Sequence, residues 1–154
     1  MMTEKSFSTI KAFSGQFGFL SNFYPSSIIY DGISYPTIEH FYQAQKTRDV
    51  ATRKVISEMA TPADAKRFGK ALYLREDWEE VKIDVMKEGL ALKFQDTDLR
   101  RKLLETGEAL LLEGNMWGDD FWGYDLRKRE GKNVLGTLLM ELRDNLRHQR
   151  QQVA

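Results

Sequence analysis

The chain has no cysteine, and that absence removes thiol nucleophiles, thiolate zinc sites and disulfide staples together. Imidazole is nearly as scarce: His40 and His148 stand far apart, without the His-Glu-x-x-His spacing of a catalytic zinc. No metal and no other cofactor is expected. Long apolar runs are also missing. The longest, Ala109 to Leu112, is far too short for a bilayer, and the opening Met-Met-Thr-Glu-Lys-Ser-Phe lacks the apolar stretch of a secretory leader. A cytoplasmic protein without membrane association is the expectation. Net charge is absent too, since 23 basic residues balance 23 acidic ones, leaving no global counterion-release term for gripping a nucleic-acid duplex. Arg143, Arg147 and Arg150 make the tail locally basic, which reads as a solvated helix face completing the macrodipole.

What is present fits one domain over residues 1–154, with a core from 13 to 147 and no repeat, low-complexity tract or linker. Ser8 to Phe13 alternates as a strand, and Gly15 to Tyr24 reads as an aromatic loop closed by Pro25. Ile28 to Tyr35 predicts a hairpin, because Asp31-Gly32 supplies the positive φ angles of a type I′ turn. Pro36 stops the second strand, and Thr37 is placed to cap a helix from Ile38 toward Lys46. Further helices are predicted over Arg48–Met59 (apolar stripe Ala51, Val55, Met59) and from Thr61-Pro62 to Gly69. Asp77–Phe94 sets Trp78, Val81, Val85, Gly89 and Leu92 on one face, widened by Met86 and Leu90. Asp98 reads as the cap of a short helix through Leu99, Leu103 and Leu104, and Asn133–Arg147 aligns Leu135, Leu138, Leu139, Leu142 and Leu146. Glu108 to Glu113 is the remaining strand. The fold class expected is α+β, mostly helical, with a small antiparallel sheet near the N-terminus.

Four stretches break local rules. On the helix after Pro36, Glu39, Gln43 and Lys46 form a polar stripe at i, i+4 and i+7 in an otherwise aromatic segment. A surface ion ladder aligned with the helix dipole and a set of chemical groups both explain it. In Gly18-Phe-Leu-Ser-Asn-Phe-Tyr-Pro25, large rings occupy a loop around Asn22, as core cover or as the lining of a concave site. Gly114-Asn-Met-Trp-Gly-Asp-Asp-Phe-Trp-Gly123 mixes aromatic plates with acids and glycines; turn chemistry and core packing account for its parts, while the combination suits a sugar or nucleobase pocket. Gly131-Lys-Asn-Val-Leu-Gly136 leads into the longest helix, either as a plain cap or as an anion site on free N–H groups.

Together with Tyr35-Pro-Thr-Ile-Glu-His-Phe-Tyr-Gln-Ala-Gln-Lys46 and the continuation of the last stretch to Arg143, these segments resemble the NADAR family, the YbiA-like N-glycosidases, in order and over nearly the whole chain. The resemblance implies cleavage of an N-glycosidic bond between ribose and a nitrogen base, the substrate being ADP-ribosylated guanine, free or in nucleic acid, or a phosphoribosyl intermediate of early riboflavin synthesis. It implies Glu39 as the catalytic acid/base and Lys46 as a catalytic amine, with Asn22, Phe23, Trp122, Asp119 and Asp120 lining the pocket. Gln43, Trp78, Trp117, Gly123 and Asn133 complete the candidate substrate contacts. No obligate protein partner is implied. The connection Tyr124 to Glu130, with Arg127-Lys128-Arg129, departs from the shorter, glycine-rich loop expected there.

Two mechanisms fit the same pair of residues. Either Glu39 alone gives and takes the proton while Lys46 supplies charge, or a deprotonated Lys46 attacks the opened ribose aldehyde as a Schiff-base nucleophile. A module that binds ADP-ribose or a nucleotide without cutting it is the competing reading. A purely structural protein is a third, and it leaves the polar stripe and the Trp-Asp loop without a role.

Overall fold

The computed structural model describes residues 8–153, so the reading of the opening seven residues lies outside the described part. In chain order the elements are β1 (Thr9–Ile10), a 3-10 helix (Gly15–Leu20), β2 (Ile28–Tyr30), β3 (Ile33–Tyr35), α1 (Ile38–Ala44), α2 (Val50–Ser57), α3 (Pro62–Lys70), α4 (Trp78–Lys93), α5 (Thr97–Glu105), β4 (Leu110–Leu111), β5 (Gly114–Asn115), β6 (Tyr124–Asp125) and α6 (Val134–Val153). The class is α+β and mostly helical, with the antiparallel hairpin near the N-terminus, as the sequence predicts. The other two sheets, β1 with β4 and β5 with β6, are parallel pairs. The chain divides into two compact units, Asn22–Asp96 and the described residues on either side of it.

In the Asn22–Asp96 unit, Asp31 (φ 48°) and Gly32 (φ 74°) make the expected turn, which sets the register Ile28 opposite Tyr35. Thr37 then caps α1, its hydroxyl accepting from His40 N–H at 3.1 Å. All seven residues of α1 are buried, an unusual state for a helix this polar. Phe41 anchors it: Tyr30 and Tyr35 present ring edges at centroid distances of 5.2 and 5.7 Å, and Gly89 of α4 lies against the same ring.

Three helix readings change here. In α2, Val55 is 50 % exposed and the buried residues are Ile56 and Ser57, so the core-facing stripe is turned by one position. In α4 the buried face is Trp78, Met86, Gly89, Leu90 and Lys93, with Val81, Val85 and Leu92 only half-buried, because the face has to present Gly89 to Phe41. The periodicity cannot weigh that requirement. In α3, Thr61 caps and Pro62 opens the helix as expected, but Gly69 is not its terminus. The helix continues one residue further to Lys70, so Gly69 lies in its last turn.

In the other unit, the segment read as an aromatic loop forms the 3-10 helix, with Phe19 and Leu20 buried. Helix α5 begins at Thr97, and Asp98 lies in its first turn, paired with Arg101 and Lys102 instead of capping. Helix α6 buries Leu135, Leu138 and Leu139. Its basic tail is not simply a solvated face: Arg143 is buried and donates to Ala109 O at 2.9 Å and Thr106 Oγ1 at 3.0 Å. Arg147 donates to Gly107 O at 2.7 Å and pairs with Glu108 at 3.0 Å. The two guanidiniums satisfy the carbonyls of the turn leaving α5, a role set by groups about 35 to 40 residues away in sequence. Among the described residues no helix is long and apolar enough to cross a membrane.

Candidate active site

Helix α1 holds Glu39 and Gln43 on one side. Glu39 is 7 % exposed and Gln43 3 %, and the Gln43 Nε2–H donates to Glu39 Oε1 at 2.8 Å. The i,i+4 spacing brings the two side chains together. The Glu39 backbone N–H, one of the donors that a helix start leaves without an intrahelical partner, donates to Asn22 O at 3.0 Å. That bond ties the Asn22 loop to the first turn of α1. The Asn22 side chain is placed by α4: its Nδ2 lies 3.6 Å from the sulfur of Met86, while its Oδ1 is buried without a hydrogen-bond partner. A buried acceptor left open is costly unless something arrives to fill it. Phe23, next in the loop, is 40 % exposed.

Lys46 lies just past the end of α1, which stops at Ala44 with Gln45 as its cap residue. The expected continuous helix to Lys46 therefore ends two residues early, and the amine is carried by the following turn, held where Lys46 O accepts from Arg75 N–H at 2.8 Å. Its Nζ sits 5.6 Å from the centroid of Tyr42, whose other neighbour is the buried Trp78 at 5.1 Å. Trp78 thus backs the ring that supports the amine. Burial holds the Lys46 pKa below the ordinary lysine value; Glu39 pulls it upward, and the nearby charges of Lys66 and Lys70 push it further down.

His40, on the same helix, stays out of this chemistry. Its Nδ1 faces the Thr37 hydroxyl at 2.8 Å and its Nε2 faces Met59 O at 3.0 Å, so both nitrogens are used by the fold. Burial lowers its pKa, with the bond to Met59 opposing. A neutral ring donating from Nε2 and accepting at Nδ1 satisfies both contacts. Among the described residues no group of histidine, aspartate and glutamate side chains is arranged to hold a metal ion.

The remaining candidates belong to the other unit, in the connection from β5 to α6. Asn115 is buried and organises it: its Nδ2 donates to Asp119 O at 2.8 Å and its Oδ1 accepts from Asp119 N–H at 3.0 Å. The Asp119 carboxylate is occupied in turn by the N–H groups of Phe121 (3.2 Å) and Trp122 (3.0 Å). Gly123 is packed so closely that a Cβ would overlap the Glu113 carboxylate and the Asn115 amide. Asp120 is exposed, Trp117 is 68 % exposed, and Trp122 is half-buried with Phe121 edge-on at 4.9 Å. In the Arg127–Glu130 segment, Asp125 Oδ1 accepts from Arg127 and Lys128 N–H, and Arg129 adopts φ 55°, giving a tight acid-capped turn in place of a glycine-rich loop.

Asn133 has φ 50° and spends its side chain on β4 and the residues just after it, donating to Leu111 O and accepting from Glu113 N–H, each at 2.9 Å. At the start of α6, Val134 N–H donates to Phe121 O and Leu135 N–H to Trp122 O, so these donors serve the loop. Gly136 lets Leu111 O and the Asn133 amide lie where a Cβ would be.

Sequence reasoning did not single out Gly69, Met86, Tyr42 or Lys93. Gly69 read as an ordinary helix end, and the buried Lys93 carried no signal, since a lysine at the end of α4 looks like a dipole partner.

The sequence matches the NADAR domain family over residues 9–147. It is 43 % identical over 136 residues to the N-glycosidase YbiA of Escherichia coli K12, covering 86 % of this chain and 84 % of that one. It is 40 % identical over 138 residues to the N-glycosidase Npun_R5314 of Nostoc punctiforme, covering 86 % and 87 %. Against the riboflavin biosynthesis protein VVA0006 of Vibrio vulnificus it is 39 % identical over 132 residues, 84 % of this chain but 35 % of that longer one. The NMR structure of E. coli YbiA superposes with a TM-score of 0.81 at 37 % identity, covering 96 % of this chain and 93 % of the other. With a family match across nearly its whole length and relatives well above 30 % identity, the chain belongs to the NADAR family.

Proposed function

We propose that this protein is an N-glycosidase that hydrolyses the bond between a phosphorylated ribose and a nitrogen base, with Glu39 as acid/base and Lys46 as the amine beside it. The observation that carries the reading is the buried Glu39 carboxylate, held by a neutral amide donor and felt by a lysine whose ammonium is destabilised by burial. A carboxyl group in that setting can pass a proton to a leaving base and recover one from water. Two kinds of relative, named as N-glycosidases and as riboflavin biosynthesis proteins, support a ribosyl substrate. Lys66 and Lys70, whose charges reach Lys46, favour an anionic one. The candidates are therefore ADP-ribosylated guanine and a phosphoribosyl intermediate of early riboflavin synthesis.

In the direct route, Glu39 protonates the departing nitrogen, the ribosyl C–N bond breaks, and water adds to the anomeric carbon, returning a proton to Glu39. In the covalent route, Glu39 protonates the ring oxygen and the ribose opens to an iminium joining its anomeric carbon to the base nitrogen. Neutral Lys46 adds to that carbon, and the base leaves with a proton as the C–N bond breaks, leaving an imine on Lys46. One water then hydrolyses the imine, releasing the sugar aldehyde and restoring the amine. A chain in which burial lowers the lysine pKa can supply that neutral amine.

Each substrate would be incubated with the protein, and free base and sugar followed by mass spectrometry. Release of base from either one, lost in Glu39→Gln, is the expected result. Saturable binding without release would make the protein a ribosyl-nucleotide reader and end the enzymatic reading.

A further inference from the structure

The Gln43 carboxamide has two ends with different fates. Its nitrogen donates to Glu39; its Oε1 is buried without a hydrogen-bond partner and turned toward Gly69 of α3. A Cβ on Gly69 would overlap that oxygen and stand 2.7 Å from Gln43 Cδ and 3.1 Å from Gln43 Cβ. Gly69 lies in the last turn of α3, one residue before its end, where glycine is a poorer helix former than alanine, and its φ is not in the left-handed region that would call for glycine. The missing side chain is explained only by what lies in its place.

We infer that Gly69 is a positioning residue of the active site: the space it leaves is the slot in which the Gln43 carboxamide lies, and through that amide it sets the orientation of the Glu39 carboxylate. The inference rests on the reading of Glu39 as the acid/base group. Any side chain at position 69 forces the amide aside, and Glu39 loses the Gln43 donor. A carboxylate shifted by a fraction of an ångström still binds substrate through the rest of the site, so the loss appears in turnover.

A double-mutant cycle of Gly69→Ala and Gln43→Ala tests this, read by kcat and KM, by thermal midpoint and by the ¹³C titration of the Glu39 carboxyl. Gly69→Ala should lower kcat by ~10-fold or more with KM within about twofold, as a small misplacement of a reacting group does. It should also move the Glu39 titration. In the Gln43→Ala background the added methyl fills vacated space, and Gly69→Ala should then change neither kcat nor the midpoint further. Equal effects of Gly69→Ala in both backgrounds, or an unmoved Glu39 titration, would overturn the inference. Should Gly69→Ala alone not fold, the double variant still must; its failure to fold is equally fatal. Full activity in Glu39→Gln strikes only the functional reading, because the carboxyl titration reports the slot whether or not Glu39 catalyses.

Discussion

Gln43 donates its Nε2–H to Glu39 Oε1 at 2.8 Å across one turn of α1, and both side chains are buried. The carboxylate is thereby oriented by a neutral group, which holds its geometry without pinning its charge as a guanidinium would.

Replacement of Glu39 by glutamine keeps the shape and removes the proton. Turnover should fall at least ~100-fold, the usual size of acid/base catalysis, while the thermal midpoint stays close to that of the parent. Comparison of steady-state rates with far-UV circular dichroism melts checks this. Near-parental activity would end both proposed routes.

Lys46 separates those routes. Borohydride added during turnover should trap a substrate adduct, seen by intact mass, that disappears in Lys46→Ala and in Lys46→Arg. Because burial lowers the Lys46 pKa, the neutral amine becomes available below the usual lysine range, and trapping should increase as pH rises through that value. Parental levels of turnover in Lys46→Ala, with no adduct in the parent, would leave Glu39 acting alone.

Lys93 makes stability depend on pH. It is 1 % exposed, lies 5.5 and 5.3 Å from the rings of Tyr24 and Phe94, and burial pushes its pKa from 10.5 to about 7. Between those two values the unfolded chain binds the proton that the folded chain has released, so this group makes stability rise with pH there; below about 7 its cost is constant. In Lys93→Met that slope is absent. The midpoint of the variant minus that of the parent should therefore decrease steadily from pH 7 to pH 10, and parallel curves would contradict the assignment.

Asn133 is expected to matter to folding. Substitution by alanine removes two hydrogen bonds, one to Leu111 O of β4 and one from Glu113 N–H just beyond it, and leaves a residue without a local side-chain bond at φ 50°, a loss of about 2–4 kcal/mol in urea unfolding. Gly136→Ala should cost as much or more, since its Cβ meets the Leu111 carbonyl. A change under about 0.5 kcal/mol, the range of ordinary surface substitutions, would show that these contacts do not hold the strand.

Much of the fold is legible in the sequence because the signals are local. Asp31-Gly32 specifies its turn by backbone sterics, Thr37 and Thr61 cap by reaching N–H groups three residues on, and the leucine repeat of α6 needs only 3.6-residue periodicity. The spacing of Glu39 and Gln43 likewise determined that they would meet. What the tertiary structure alone decided is which side of each helix is buried and what the buried polar groups are for. Val55 looked apolar enough for the core, but Ile56 occupies it; Arg143 looked solvated, but the Ala109 carbonyl and the Thr106 hydroxyl claim it. The parallel pairing of β1 with β4 joins residues about a hundred positions apart, and the slot at Gly69 exists only where α3 lies on α1. Burial and close approach depend on the partner's surface, and a local pattern carries no information about that surface.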